Sequence, residues 1–274
     1  MLAMGVVALA AIAAAAMLAS QSTWARHVEL TAEHVQAQAL VRAGIDWTRA
    51  LLSDDRRLSS VDHLGEPGAM RLPPVPVDNG ELTGQIDDQQ GAFNLNNLIR
   101  NGAVSAPHLA QFRRLLAVLG LQEALAGALA DWLRPPDPAP ARALIEVGEL
   151  TLVSGFDEAV RARLRPFVTA LPRFTAVNVN TASPEVLAAV VRELDLDAAR
   201  DLVAKRERAY FRNFSEFRVQ LPPGAVMENN DIATSSDFFL ASARVTIGNA
   251  QARGTALLAR EAAGWPAVVW RKYP

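Results

Sequence analysis

The first twenty residues of the chain, Met1 to Ser20, carry no charged side chain and no proline. As a helix rising about 1.5 Å per residue they would run about 30 Å, the thickness of a bilayer's hydrocarbon core. A cleaved secretory signal would open on a basic stretch and hold a shorter apolar run, roughly 7–15 residues. Here no basic residue precedes Arg26, and the apolar run is longer. Alanine dominates it (Ala10, Ala11, Ala13 to Ala16), which weakens insertion but suits close helix packing in a membrane. Residues 1–20 are therefore expected to span a membrane. Past them, Trp24, Val28, Ala32, Val35, Ala39, Ile45 and Leu52 recur near helical spacing, and the first proline is Pro67. One helix of about 50 residues is expected, near 75 Å long, with residues 21–64 as its amphipathic continuation. A membrane helix followed by a separate amphipathic one is the alternative. Arg26 lies after the apolar run, and the positive-inside tendency alone would put the globular part in the cytoplasm.

Residues 65–80 hold four prolines and three glycines and read as an extended linker. Glu81 to Asp87 alternates loosely, Asp88 to Gly91 supplies a turn and Ala92 to Leu95 a second extended piece, together a hairpin signal. Helical patterns follow over Pro107–Leu119, Leu121–Leu133, Ile145–Leu152, Glu158–Phe167, Pro184–Leu194 and Ala198–Arg208, with Ser183 and Asp197 as expected N-caps. After Asp231 the period returns to two (Phe239, Ala241, Ala243, Val245, Ile247), then come Thr255–Arg260 and Ala267–Arg271, a three-stranded meander. The expected fold class is α+β: a long N-terminal helix and an antiparallel sheet, begun in residues 65–96 and completed in 231–274, interrupted by a large all-helical insert at 97–230.

With 27 basic and 29 acidic residues, scattered, the chain offers no bulk electrostatic case for binding a phosphate backbone. Cysteine is absent, which excludes disulfides and thiolate metal sites. No nucleophile elbow, P-loop or zincin motif occurs, so no catalytic residue is expected. His27 and His34 fall on the polar face of the long helix and His63 and His108 in or near loops, where solvated roles are expected. Trp47, Trp132, Trp265 and Trp270 are expected to pack in cores or at their rims.

Asp87-Asp88-Gln89-Gln90-Gly91-Ala92-Phe93-Asn94-Leu95-Asn96-Asn97-Leu98 and, further on, Asp131-Trp132 at a helix end begin a series of short motifs. Read in order these resemble the type II secretion K family of minor pseudopilins: the first is similar to its D-E-x-G-x-F-N-L-N-x-L signature and the second to its D-W helix end. Glu149 to Gly155 resembles its E-L-x-x-V-x-G turn; Leu164 to Pro172 and Val177 to Ser183, with Asn178, Asn180 and Thr181, resemble the paired segments that follow. By chemistry these residues are structural: Asn94, Asn96 and Asn97 can bond neighbouring backbone while Phe93 and Leu95 enter a core. The resemblance implies a pilin-like sheet and inner-membrane anchorage with the globular part in the periplasm. It further implies assembly with I-type and J-type minor pseudopilins at the tip of a pseudopilus, with no small-molecule substrate. It implies a basic leader ahead of Met1. It also implies calcium bound by an acidic loop after the D-W pair, for which Asp131 and Asp137 are the candidates and Glu228 to Asp231 a second grouping.

The rival reading starts from the same Val177–Ser183 motif, which with the Tyr210–Phe217 segment is similar to membrane-anchored helix-hairpin-helix DNA receptors of competence systems. Those modules present glycine backbone N–H groups to a phosphate. Here the hairpin reads Glu193-Leu194-Asp195-Leu196-Asp197, without glycine and with three carboxylates, so no nucleic-acid partner is expected.

Overall fold

The computed structural model describes residues 2–66, 69, 71–134, 141–227, 230–260 and 264–273. One helix, α1, runs Leu2–Leu58 over 57 residues without a break. Its first half is bare: Met4, Leu9, Ile12, Met17, Leu18 and Trp24 all stand exposed. Among the described residues no helix is long and apolar enough to cross a membrane; Met1 and the side chains at 2, 3, 6 and 8, inside the expected span, lie outside those described.

After α1 the elements are, in chain order, β1 (Arg71–Val77), β2 (Gly80–Asp88), β3 (Phe93–Asn94), β4 (Ile99–Arg100), β5 (Ala103–Val104), α2 (Ala106–Val118), α3 (Ala124–Leu133), α4 (Glu158–Leu164), β6 (Val168–Thr169), β7 (Val177–Asn178), α5 (Pro184–Val190), α6 (Leu196–Arg208), α7 (Phe214–Val219), β8 (Ile232–Ala233), β9 (Phe238–Ile247), β10 (Ala250–Ala259) and β11 (Ala267–Lys272). The five long strands form one antiparallel sheet in the order β1-β2-β9-β10-β11. The sheet is thus opened by the chain before the helical lobe and completed after it.

Ala37, Val41, Ile45 and Leu52 form one buried stripe on α1, packed on Ile86, Ala241, Ala243, Val245, Ala252, Ala256 and Leu258 of the sheet. Small side chains on the strands let the helix come close. A Cβ built on Gly254 would lie 2.7 Å from Val41 Cγ1 and 2.8 Å from the Tyr273 ring, so the glycine is required by that approach. Arg49 Nε, donating to the Pro266 carbonyl at 2.8 Å, and the Asp46–Arg271 pair tie the last strand to the same helix. The lobe has its own core, which takes in Phe93, Leu95, Phe112, Leu129, Leu187, Phe217 and Ile232. A small third cluster, Leu171 with Phe238, Leu257 and Ala259, sits where lobe and sheet meet.

Several expectations change. The linker at 65–80 contains β1, whose Pro73, Pro74 and Pro76 are tolerated because it is an edge strand with an irregular register between Leu72 and Val75. The hairpin expected between 81–87 and 92–95 does not form: β2 pairs with β1 and β9, while β3 pairs in parallel with β6. Within the lobe, β7 pairs in parallel with β8, and β4 antiparallel with β5, so two-residue strands accompany the helices. Ile145–Leu152 is a 3-10 turn over Val147–Leu152, and α5 stops at Val190, ahead of Glu193 with φ of 60°. Asp195, not Asp197, caps α6, accepting from Ala198 N at 2.8 Å; Ser183 caps α5 as expected. His108 is buried on α2, bonded to Ser105 Oγ at 2.6 Å and lying 3.4 Å from Asp231. Trp47 and Trp265 are largely exposed, because they flank the helix–sheet layer and do not enter it.

Two substitutions test the helix–sheet layer by thermal unfolding of the full chain in detergent. Gly254→Val should cost roughly 1–3 kcal/mol through overpacking against Val41, and Ile45→Ala about 2–5 kcal/mol through the cavity it leaves.

Candidate functional site

Where the signature segment leaves β2 and enters the lobe, its asparagine side chains bind two returning loops, at Leu144 and at Leu171–Thr175. Asn94 Nδ2 donates to the Arg173 carbonyl (2.9 Å) and Thr175 Oγ1 (3.1 Å), and its Oδ1 accepts from Asn96 N and Leu171 N. Asn96 Nδ2 donates to the Leu144 and Leu171 carbonyls, both at 2.9 Å, and its Oδ1 accepts from Leu144 N. Asn97 closes both backbone groups of Thr175. These amides satisfy backbone that would otherwise be buried unpaired, at a cost of about 1–3 kcal/mol per group. Phe93 and Leu95 are buried in the lobe core, as expected. Gly91 is required because a Cβ there would lie 2.8 Å from Thr181 Oγ1.

One carboxylate anchors the next layer. Asp88 Oδ2 accepts from Thr181 Oγ1 (2.5 Å), Ser236 Oγ (2.7 Å) and Asn178 Nδ2 (3.0 Å), and Oδ1 accepts from Gln90 N (2.8 Å). Asn178 also donates to the Asp62 carbonyl at 3.1 Å, and Asn180 closes both backbone groups of Phe211 at 2.8 Å. Burial pushes the Asp88 carboxyl up from its usual value, and the Thr181 and Ser236 hydroxyls pull it back. Asp87, the residue singled out by the signature, accepts from Gln85 Nε2 at 2.5 Å through its side chain and from Gln89 Nε2 through its carbonyl. The signal for Asp88 was present in strand alternation, which turns it to the same side as buried Ile86.

Beside Asp88 lies a second charged group. Arg260 is 3% exposed and donates to Asp55 (3.0 Å), to Asp62 and to the Ser236 carbonyl (2.7 Å), with its guanidinium 4.7 Å from the Phe239 ring centre. Glu66 completes a trio of carboxylates with Asp55 and Asp62. Burial, then the Asp55 and Asp62 charges, push Glu66 up to about 7; burial likewise raises Asp55, and lowers His63. Nothing in the sequence marked these residues, because scattered acids around the end of a helix read as solvated.

The expected calcium ligands lie only partly within the described residues. Asp131 is exposed and lies 3.6 Å from Arg134, Asp137 lies outside the described residues, and no third acidic or histidine ligand joins Asp131 among those described. Glu228 and Asn229 also lie outside, while Asp231 is buried against Gln111 and His108. The trio at Asp55, Asp62 and Glu66 already takes Arg260 as its cation. With that guanidinium in place the trio does not fit a calcium site. Trp132 packs at the rim of the lobe core beneath Arg142, whose guanidinium lies 5.5 Å from the ring centre. In the hairpin between α5 and α6, Asp195 occupies the backbone N–H that a phosphate would need.

Comparison with known proteins bears on the whole arrangement. Two family signatures, both described as Type II secretion system (T2SS), protein K, match residues 91–173 and 177–236. The type II secretion system protein K of Klebsiella pneumoniae is 30% identical over 98% of this chain and 93% of its own length. That of Pseudomonas aeruginosa is 37% identical over 69% of this chain and 64% of its own length. A chain in the crystal structure of the GspK-GspI-GspJ complex from enterotoxigenic Escherichia coli shares the fold, with a TM-score of 0.70 at 18% identity, covering 90% of this chain and 99% of that one.

Stability should report the Glu66 environment. A carboxyl raised from 4.5 to about 7 binds more protons folded than unfolded, so stability falls as pH rises from 4.5 towards 7. Glu66→Gln should remove about 1–2 kcal/mol of that fall, allowing for screening; an unchanged pH profile of the melting temperature would contradict it. Asp88→Asn should cost at least about 2 kcal/mol at neutral pH by leaving buried donors unpaired.

Proposed function

The chain belongs to the type II secretion system protein K family, and we propose that it works there as a minor pseudopilin at the tip of the pseudopilus. The observation that carries this reading is α1. Its second half packs on the chain's own sheet, while its first half leaves Met4, Ile12, Leu18, Trp24 and Val28 exposed. An apolar helix left bare to that extent needs a membrane, other helices, or both.

In this reading residues 1–20 cross the inner membrane in a single pass, and 21–64 carry the helix into the periplasm. Residues 65–96 and 231–274 build the pilin-like sheet there, and 97–230 form the inserted lobe. The partners are the I-type and J-type minor pseudopilins, by extension from the E. coli protein of the same fold, which is in complex with GspI and GspJ. The role is structural, without catalysis and without a bound cofactor. Shaft subunits stacked helix on helix need clearance above each head, and a lobe of this size removes it. That clearance argument favours the end of the pseudopilus.

The test is to solubilise the full chain from membranes together with I-type and J-type pseudopilins and determine the composition of the complex and its position by immunogold labelling. A single copy at the pseudopilus end is expected. Labelling along the shaft, or failure to co-purify with either partner, would contradict the tip assignment.

A further inference from the structure

On the face of the sheet turned away from α1, Thr83, Arg244 and Arg253 stand in one cross-strand row. Arg71, opposite Gln85, belongs to the next row on that face. Arg244 and Arg253 are direct partners in the register, and like charges placed opposite each other destabilise a sheet. The other cationic side chains on or flanking the sheet are neutralised within the chain: Arg260 by Asp55 and Asp62, Arg271 by Asp46 and Lys272 by Glu146. Among the described residues Arg71, Arg244 and Arg253 have no acidic partner, and all three are exposed. They surround a groove of about 710 Å³. Its floor carries the hydroxyls of Thr83, Ser242 and Thr255, and Pro73 and Pro74 of the irregular edge strand wall it on one side. A repulsive arginine pair retained over a polar floor breaks a local rule without any compensation inside the chain, the pattern expected of a functional surface.

We propose that this groove docks an extended, carboxylate-rich segment of a partner protein. Guanidinium groups take carboxylates through paired, charge-assisted hydrogen bonds, and an arriving acid would turn the Arg244–Arg253 repulsion into attraction on both sides. The hydroxyl floor supplies neutral donors and acceptors for backbone. The charge is confined: three arginines in one groove of a chain with net charge −2 match a short acidic segment, whereas a duplex or an anionic bilayer calls for a broad basic face. The proposal is independent of the tip assignment, since it concerns the sheet and not α1.

The experiment uses the full chain in neutral detergent and fluorescence anisotropy of a labelled peptide of alternating Glu and Thr, with a Gln–Thr peptide as control. The acidic peptide should bind, the neutral one should not, and affinity should fall with added salt. Arg253→Glu should weaken binding by roughly tenfold or more while raising the melting temperature, because it converts a repulsive cross-strand pair into an attractive one. Arg71→Gln, on the edge strand, should weaken binding without changing the melting temperature. Equal binding of both peptides, or affinity unchanged in both variants, would overturn the proposal. So would tighter binding to anionic phospholipid vesicles than to the peptide, or a self-association abolished by Arg253→Glu, which would assign the groove to a second copy.

Discussion

The rest of the molecule depends on one half-buried carboxylate. Asp88 ends β2, and the chain leaves the sheet there for about 150 residues before Phe239 comes back beside it. Four donors from Gln90, Asn178, Thr181 and Ser236 converge on that side chain, so a single acid ties the outgoing strand, the middle of the lobe and the returning strand. A carboxylate suits this place better than a neutral amide because it accepts only, with capacity for about four hydrogen bonds. Its neighbour Arg260 closes the other side of the joint, and the end of α1 is held there by Asp55 and Asp62. Helix, sheet and lobe thus meet at one polar knot, around which the three apolar cores are arranged.

Much of this was legible in the sequence because periodicity is a strong signal over long elements. The unbroken α1, the period-two run of β9 and the succession of helices over 106–208 were all readable, and with them the α+β class. The family could be read from ordered short motifs, whose asparagines proved to be loop-binding amides. What escaped were features decided by partners distant in sequence. A proline-rich stretch is a strand only because β2 offers it an edge, and 93–94 joins β6 rather than β2 because Asn94 is held by Leu171 and Thr175. The charged joint escaped for the same reason: Asp55, Asp62, Glu66 and Arg260 are spread over about 200 positions and look like surface residues until the chain brings them together.

The detour between β2 and β9 also bears on how the chain folds. Pairing two strands across a flexible loop of about 150 residues costs roughly 4 kcal/mol in closure entropy before any contact compensates it. Inside the lobe α2 packs on α3, α5 on α6 and α2 on α5, and each of these closures is shorter than the whole detour, so the lobe can form ahead of the sheet. Once formed, its parallel bridges β3–β6 and β7–β8 hold the start and the end of the detour side by side. The lobe then acts as a folding template for the sheet, and β9 slots between β2 and β10 with its long-range search already done.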